Sequence, residues 1–268
     1  MIPAHRCRPL DAVSRSTWAS VRGLATDLDD TLTTHGELTA PVLAALESLR
    51  ASGLPVVIAT GRSLGWASVL ARVLPVRAVV AENGGAFVLR EHGRVRTAFL
   101  DDDATRIEGM ARVEACVRAL TERFPALRTA EDGTARRTDH ALDVAEHTVV
   151  DPAVVREAMA LARAEGLACI ASSIHLHLSY REPDKVAGLR AALLALGLDA
   201  GELGDRWVYV GDSPNDAGPF GAMALSVGVA GVRRFAGRMP AWPAYVTEAD
   251  GGAGFATVVA ALRAGSEG

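Results

Sequence analysis

Aromatic residues make up only 5 % of the 268-residue chain, so aliphatic Ala, Val and Leu must build most of its core. Cysteine is scarce as well. Cys7, Cys116 and Cys169 are odd in number and no two lie close together. That argues against a disulfide framework and against a cysteine-based zinc site, and it fits a reducing compartment. No run of residues approaches the ~18 apolar positions needed to span a bilayer. The opening stretch, MIPAHRCRPLDAVSRSTWAS, lacks the apolar segment of a secretory signal. Asp11 and the absence of an amphipathic period speak against a transit peptide. Residues 1–18 are expected to form a flexible leader. Excess positive charge is missing too: the formal net charge is −4, so nucleic acid is not an expected partner, and with no spanning run neither is a membrane. A cytoplasmic location is the expectation.

What is present is ordinary for a globular protein, with 49 % hydrophobic and 22 % charged residues and enough length for one large domain or two smaller ones. VRGLATD (21–27) is a short apolar segment ending in acid. LTAPVLAALESLRASG (38–53) reads as a helix, with Thr39 as cap, Pro41 in the first turn and Gly53 as its stop. LPVVIAT (54–60) is an unbroken run suited to a strand buried on both faces, and RAVVAENGG (77–85) follows another helical stretch. The same alternation returns after residue 184, with helix 184–197, strand RWVYVGD (206–212) and a closing helix at 254–265. This is the pattern of an α/β parallel sheet covered by helices.

The middle of the chain differs. A hairpin around His92-Gly93 (86–100), helices at 104–124 and 151–166, and strands near 141–147 and 167–180 suggest an α+β module inserted into the parallel-sheet domain. The expected division is a core at 19–85 and 184–268 with a cap domain at 86–183.

Open parallel sheets bind ligands beyond the C-terminal ends of their strands. Asp27 and Asp29, Thr60-Gly61-Arg62, Asn83, and the run Gly211 to Asp216 all fall at such ends. Carboxylates crowded together repel unless a cation sits among them, and hard oxygen ligands of this kind suit Mg2+. Beside such a cation Asp27 can attack phosphorus and form an aspartyl-phosphate. Asp29, two residues on, points to the same side of an extended chain and can serve as acid and base. Thr60, with the backbone N–H groups of Gly61 and Arg62, is placed to bind phosphate oxygens. Lys185 is placed to neutralise the phosphoryl charge. Asn83 and Asn215, at the same edge, are candidate substrate contacts.

DLDDTLT, TGR, DK at 184–185 and GDSPND, in that order, resemble the four motifs of the haloacid dehalogenase (HAD) superfamily of phosphatases and phosphomutases. The resemblance implies a Rossmann-like HAD core with an inserted cap similar to the C2B type. That type includes Cof-like phosphatases, sugar-phosphate phosphatases, mannosyl-3-phosphoglycerate phosphatase and phosphomannomutase. ENGG (82–85) resembles a stretch of the Cof-like members. By this resemblance Asp27 is the nucleophile, Asp29 the acid/base, and Thr60 and Lys185 the phosphate-site residues. Mg2+ is then held by Asp27, the Asp29 carbonyl, Asp212, and Asp216 directly or through water. The implied reaction is hydrolysis of a small phosphorylated metabolite, most simply a sugar phosphate, with a phosphosugar mutase or a non-catalytic phosphate sensor as alternatives. Asp30 departs from the family, in which many members carry glycine.

Other residues carry open readings. His175 and His177 alternate in IHLHL and so share one side of a strand, either as substrate contacts in the cap or as a solvent-facing pair, and less readily as metal ligands. Arg181 lies near the expected hinge and is a candidate for an anionic substrate group. Arg136 and Arg137 are expected on a solvated surface, and Trp66 in packing.

Overall fold

A run of small and β-branched residues with no polar alternation has no face to offer water, and such runs lie at the centre of this structure. The computed structural model describes residues 7–172 and 174–266. Its elements are β1 (Arg8–Pro9), α1 (Arg15–Ser20), β2 (Gly23–Thr26), α2 (Ala40–Ala51), β3 (Val56–Ala59), α3 (Leu64–Val73), β4 (Ala78–Ala81), β5 (Ala86–Glu91), β6 (Arg94–Phe99), α4 (Asp103–Arg123), β7 (Arg128–Thr129), β8 (Asp139–Asp143), α5 (Pro152–Ala164), β9 (Ala168–Ala171), β10 (His175–Ser179), α6 (Lys185–Ala195), α7 (Leu203–Arg206), β11 (Trp207–Gly211), α8 (Ala217–Ala222), β12 (Leu225–Gly228), β13 (Tyr245–Val246) and α9 (Gly251–Ser266).

The large sheet runs β1-β13-β12-β11-β2-β3-β4-β5-β6. Its pairs are parallel from β1 to β4 and antiparallel across β5 and β6. Every residue of β2, β3, β4 and β11 is buried. Helices cover both faces. Leu46 and Leu49 of α2, Leu70 of α3 and Phe255 and Leu262 of α9 pack on one side. Leu189 and Leu193 of α6, Leu203 of α7 and Phe220 of α8 pack on the other. The fold is α/β with a mainly parallel sheet. Among the described residues no helix is long and apolar enough to cross a membrane.

A second, antiparallel sheet runs β7-β8-β10-β9. Val113 and Leu120 of α4 and Ala158 and Ala162 of α5 pack with Leu142, Leu176 and Leu178 in a core of its own.

Three expectations change. The 86–100 hairpin does not join the second sheet: β5 pairs with β4 and β6 with β5, extending the large sheet. Its apolar half, AFVL, is buried and needs the large core, which local pairing alone does not supply. The leader is also structured where it is described. Residues 1–6 lie outside the described residues, but β1 pairs with β13, and Trp18 is buried against Gly265 of α9. Finally, the strand expected at 141–147 ends at Asp143. The Asp143 carboxylate accepts the N–H groups of Glu146 and His147, which turns the chain out of the sheet.

Candidate active site

Strands β2, β3, β4 and β11 end at one edge of the large sheet, and their polar sequels meet there. The N–H of Asp27 donates to the Val210 carbonyl, continuing the β2–β11 ladder by one residue and fixing the base of its side chain. Lys185, at the first position of α6, reaches into the same place. Its Nζ lies 3.0 Å from Asp27 Oδ1 and 2.8 Å from Asp216 Oδ1. Lys185 is the only lysine in the chain, and at 4 % exposure it is fully buried. The helix comes close enough because residues 84 and 188 are glycine: a Cβ on Gly84 would collide with the Asp184 carbonyl, and one on Gly188 with Gly84.

Asp216 is the hub of the far side. Its Oδ1 also accepts the Tyr209 hydroxyl at 2.6 Å, and its Oδ2 accepts the N–H groups of Asp212 and Ser213 at 3.0 and 3.1 Å. Tyr209 was not singled out in the sequence, because a phenol inside RWVYVGD reads as core. Asp212 hangs beside Asp27. Its Oδ1 accepts the Thr31 hydroxyl at 3.4 Å, and Arg234 approaches its Oδ2 to 3.9 Å.

The electrostatics follow from crowding. Burial and the neighbouring Asp216 charge push the Asp27 carboxyl up to about 7, against the opposing pull of Lys185. Burial, then Asp27 and Asp216, push Asp212 up to about 8. Burial works against the Lys185 ammonium, but the Asp216 and Asp27 charges outweigh it and raise its pKa. Oxygens of Asp27, Asp212 and Asp216 lie within 4.8 Å of one another. Three carboxylates against one ammonium, all of them hard oxygen donors, fit a divalent cation such as Mg2+.

Asp29 stands apart from that cluster. The chain is not extended after Asp27: the Leu28 carbonyl accepts the N–H groups of Leu32 and Thr33 in a turn. Asp29 is held by Arg62, whose Nε lies 3.0 Å from Oδ2 and whose Nη2 lies 2.9 Å from Oδ1. Arg62 in turn lies over the Trp66 ring, 5.5 Å from its centre. Trp66 is half-exposed at this rim and is not the packing residue expected. Asp30 has a φ of +53°, in the left-handed region that favours glycine.

Thr60 is buried, and its hydroxyl accepts the Arg62 N–H at 3.1 Å. Asn83 lies beside Gly61, and its Oδ1 accepts Asn215 Nδ2 at 3.0 Å, so these three come together. Glu82 and Asn83 both take left-handed φ values, near +51° and +54°. That turn aims the Glu82 carboxylate at the Leu64 N–H of α3 and at the N–H groups of Arg137 and Thr138.

The remaining candidates are not at this edge. Arg181 pairs with Asp101, which also accepts the Tyr180 hydroxyl. The two histidines are buried rather than solvent-facing. His177 Nδ1 lies 3.0 Å from Asp139, and His175 Nε2 lies 2.7 Å from Glu146. A carboxylate takes up one ring nitrogen of each histidine, which makes the burial of the pair tolerable. Arg136, expected on a solvated surface, is buried between Asp132 and Asp139. Acids three and four positions from it were visible in EDGTARRTDH, and they were the missed signal.

A family model described as haloacid dehalogenase-like hydrolase matches residues 24–106. The phosphoglycolate phosphatase of Methanosarcina mazei is 30 % identical over 87 % of this chain and 92 % of its own length. The crystal structure of Thermoplasma acidophilum 0175 superimposes with a TM-score of 0.70 at 19 % identity, over 91 % of this chain and 98 % of that one. The sucrose-phosphatase of Synechocystis sp. PCC6803, solved with sucrose and phosphate, gives a TM-score of 0.65 at 17 % identity, over 91 % and 98 %.

Proposed function

This chain belongs to the haloacid dehalogenase-like hydrolases and is a phosphatase, and from that premise we propose that it is a Mg2+-dependent phosphomonoesterase working through a phosphorylated Asp27. The observation that carries the reading is Lys185 bridging Asp27 and Asp216, beside Asp212.

Asp27, Asp212 and the Asp29 carbonyl would hold the cation, with Asp216 beside them as a ligand directly or through water and as the hub of the loop beneath. When bound, Mg2+ supplies the positive charge that lets two anions approach. Lys185 orients Asp27 and favours its ionised form against the burial and the Asp216 charge that oppose it. The Asp27 carboxylate bonds to phosphorus as the ester P–O bond breaks, and Asp29 protonates the departing oxygen. Asp29 then takes a proton from water, whose oxygen attacks the phosphorus. The bond to Asp27 breaks and orthophosphate leaves. Thr60 and the Gly61 N–H receive the phosphoryl oxygens throughout.

The second sheet acts as a cap that closes over the leaving group. The relatives named phosphoglycolate phosphatase favour a short phosphorylated acid over the sugar phosphate expected from the sequence. Three free cysteines support a reducing, cytoplasmic setting.

The test is phosphate release from a panel of phosphorylated acids and sugars with Mg2+. Release is expected from at least one, and is expected to stop with EDTA and in Asp27→Asn. Mg2+-dependent turnover by Asp27→Asn would sink the mechanism.

A further inference from the structure

Arg136 is nearly inaccessible, at 4 % exposure, and every nitrogen of its guanidinium is engaged. Nε and Nη2 donate to the two Asp132 oxygens at 2.9 Å. Nη1 donates to Asp139 at 2.8 Å and, at 3.2 Å, to the carbonyl of Gly61. Asp132 Oδ2 in turn accepts the N–H of Ser63 at 3.3 Å. A guanidinium and a carboxylate from the stretch between β7 and β8 therefore grip the turn between β3 and α3 from two sides. Asp139, hydrogen-bonded to His177, anchors the grip in the second sheet.

Burying an arginine costs more than apolar packing of the same volume unless its partners are close and well aligned. Here the pairing is complete, and two of its contacts leave the second sheet for the large-sheet side. Their effect on the turn is specific. The Arg62 N–H goes to the Thr60 hydroxyl, the Ser63 N–H to Asp132 and the Leu64 N–H to Glu82. Of the four consecutive N–H groups from Gly61 to Leu64, only that of Gly61 has no partner among the described residues. Carboxylates already occupy the start of α3, so an incoming oxyanion is directed to Gly61 and Thr60.

We propose that Arg136 is a positioning residue of the phosphoryl site, holding the Gly61 carbonyl directly and the Ser63 N–H through Asp132, so that the Gly61 N–H and the Thr60 hydroxyl stay aimed at the transferred group. This rests on the phosphatase mechanism proposed above. It makes the second sheet a structural part of phosphoryl binding as well as a selector of leaving groups. A fault in the grip then lowers turnover of every substrate in the same proportion, whereas a cap contact acts on one leaving group at a time.

The experiment uses the full chain with Mg2+ and the variants Arg136→Ala, Arg136→Lys and Asp132→Asn. It measures kcat and KM on 2-phosphoglycolate and p-nitrophenyl phosphate, inhibition by inorganic phosphate, and melting temperature. For Arg136→Ala, kcat is expected to fall ~100-fold on both esters, the scale of a slightly misplaced reacting group. Phosphate inhibition is expected to weaken about tenfold, and millimolar guanidinium to restore part of both. Arg136→Lys keeps the charge without the fork and is expected to recover little. If Arg136→Ala does not fold, Asp132→Asn, which keeps shape and volume, decides: weaker phosphate inhibition at a near wild-type melting temperature supports the grip. Unchanged kcat and phosphate inhibition in the folded variants overturns it. So does a loss confined to one ester, or one that only tracks the unfolded fraction. Turnover surviving in Asp27→Asn would instead refute the aspartyl chemistry, and the phosphate-inhibition comparison would still decide Arg136.

Discussion

Arg62 holds Asp29 bidentately, with Nε 3.0 Å from one carboxylate oxygen and Nη2 2.9 Å from the other. The group assigned to acid–base chemistry is therefore tied by an arginine of the adjacent 60–62 turn, and on the proposed mechanism it must leave that fork to reach a leaving oxygen. Asp29→Asn retains a carbonyl for Arg62 and is expected to fold normally, while its kcat falls ~10²–10⁴-fold, the usual worth of a general acid–base group. With p-nitrophenyl phosphate, whose leaving group departs without a proton, intact-mass measurement should detect a phosphorylated protein, because Asp27 still reacts while the hydrolysis step lacks its base. A variant with wild-type turnover would remove Asp29 from the mechanism.

Lys185 answers the charge of two buried carboxylates. Replacing it by Met keeps the length but leaves Asp27 and Asp216 facing each other. Breaking a buried pair from one side typically costs about 3–5 kcal/mol. Urea unfolding should show a loss of that order, smaller when Mg2+ is present, together with abolished activity. An unchanged midpoint would mean that the site relaxes without it. The chain uses arginine at every other cationic side-chain position, and only this one needs a compact ammonium between two carboxylates.

On the proposed ligand set, the raised carboxyls at about 7 for Asp27 and about 8 for Asp212 are expected to make cation binding pH-dependent. Both protons must leave before the oxygens can act as ligands. Calorimetric titration should therefore find Mg2+ affinity rising from pH 6 to pH 8, by at least about tenfold, with protons released. The sign for stability is opposite in the free protein. Each folded pKa lies above its unfolded value, so the contribution is present below pH ~4 and is lost as pH rises through 7 and 8. The Mg2+-induced increase in melting temperature should accordingly be larger at pH 8 than at pH 6. A pH-independent increase would contradict the assignment of these ligands.

Trp18 closes the outer helix layer against α9. Trp18→Ala in the full chain is expected to cost about 3–5 kcal/mol, as for a buried aromatic truncated to Ala. Urea unfolding reads this, while kcat per folded molecule should be unaffected, since Trp18 is far from the strand ends that carry the site. A loss under 1 kcal/mol would return residues 7–18 to the status of a leader.

The sequence by itself determined the sheet and its reactive edge. Unbroken runs such as VVIA and AVVA suit strands buried on both faces, and residues that end neighbouring parallel strands share an edge whatever the loops do. Asp27, Thr60, Asp212 and Asp216 were legible as groups at that edge before any coordinates, and Lys185 through its place in the order of motifs. Tertiary structure decided what depends on partners distant in the chain. Whether the 86–100 hairpin joined one sheet or the other turned on which core had room for its apolar half. Whether Arg136, His175 and His177 met water or carboxylates turned on which acids were folded against them. A charged side chain carries no record in sequence of its own burial, because burial becomes tolerable only when the opposite charge arrives from elsewhere, as Asp139 of β8 does for His177 of β10 and Lys185 of α6 does for Asp27 after β2.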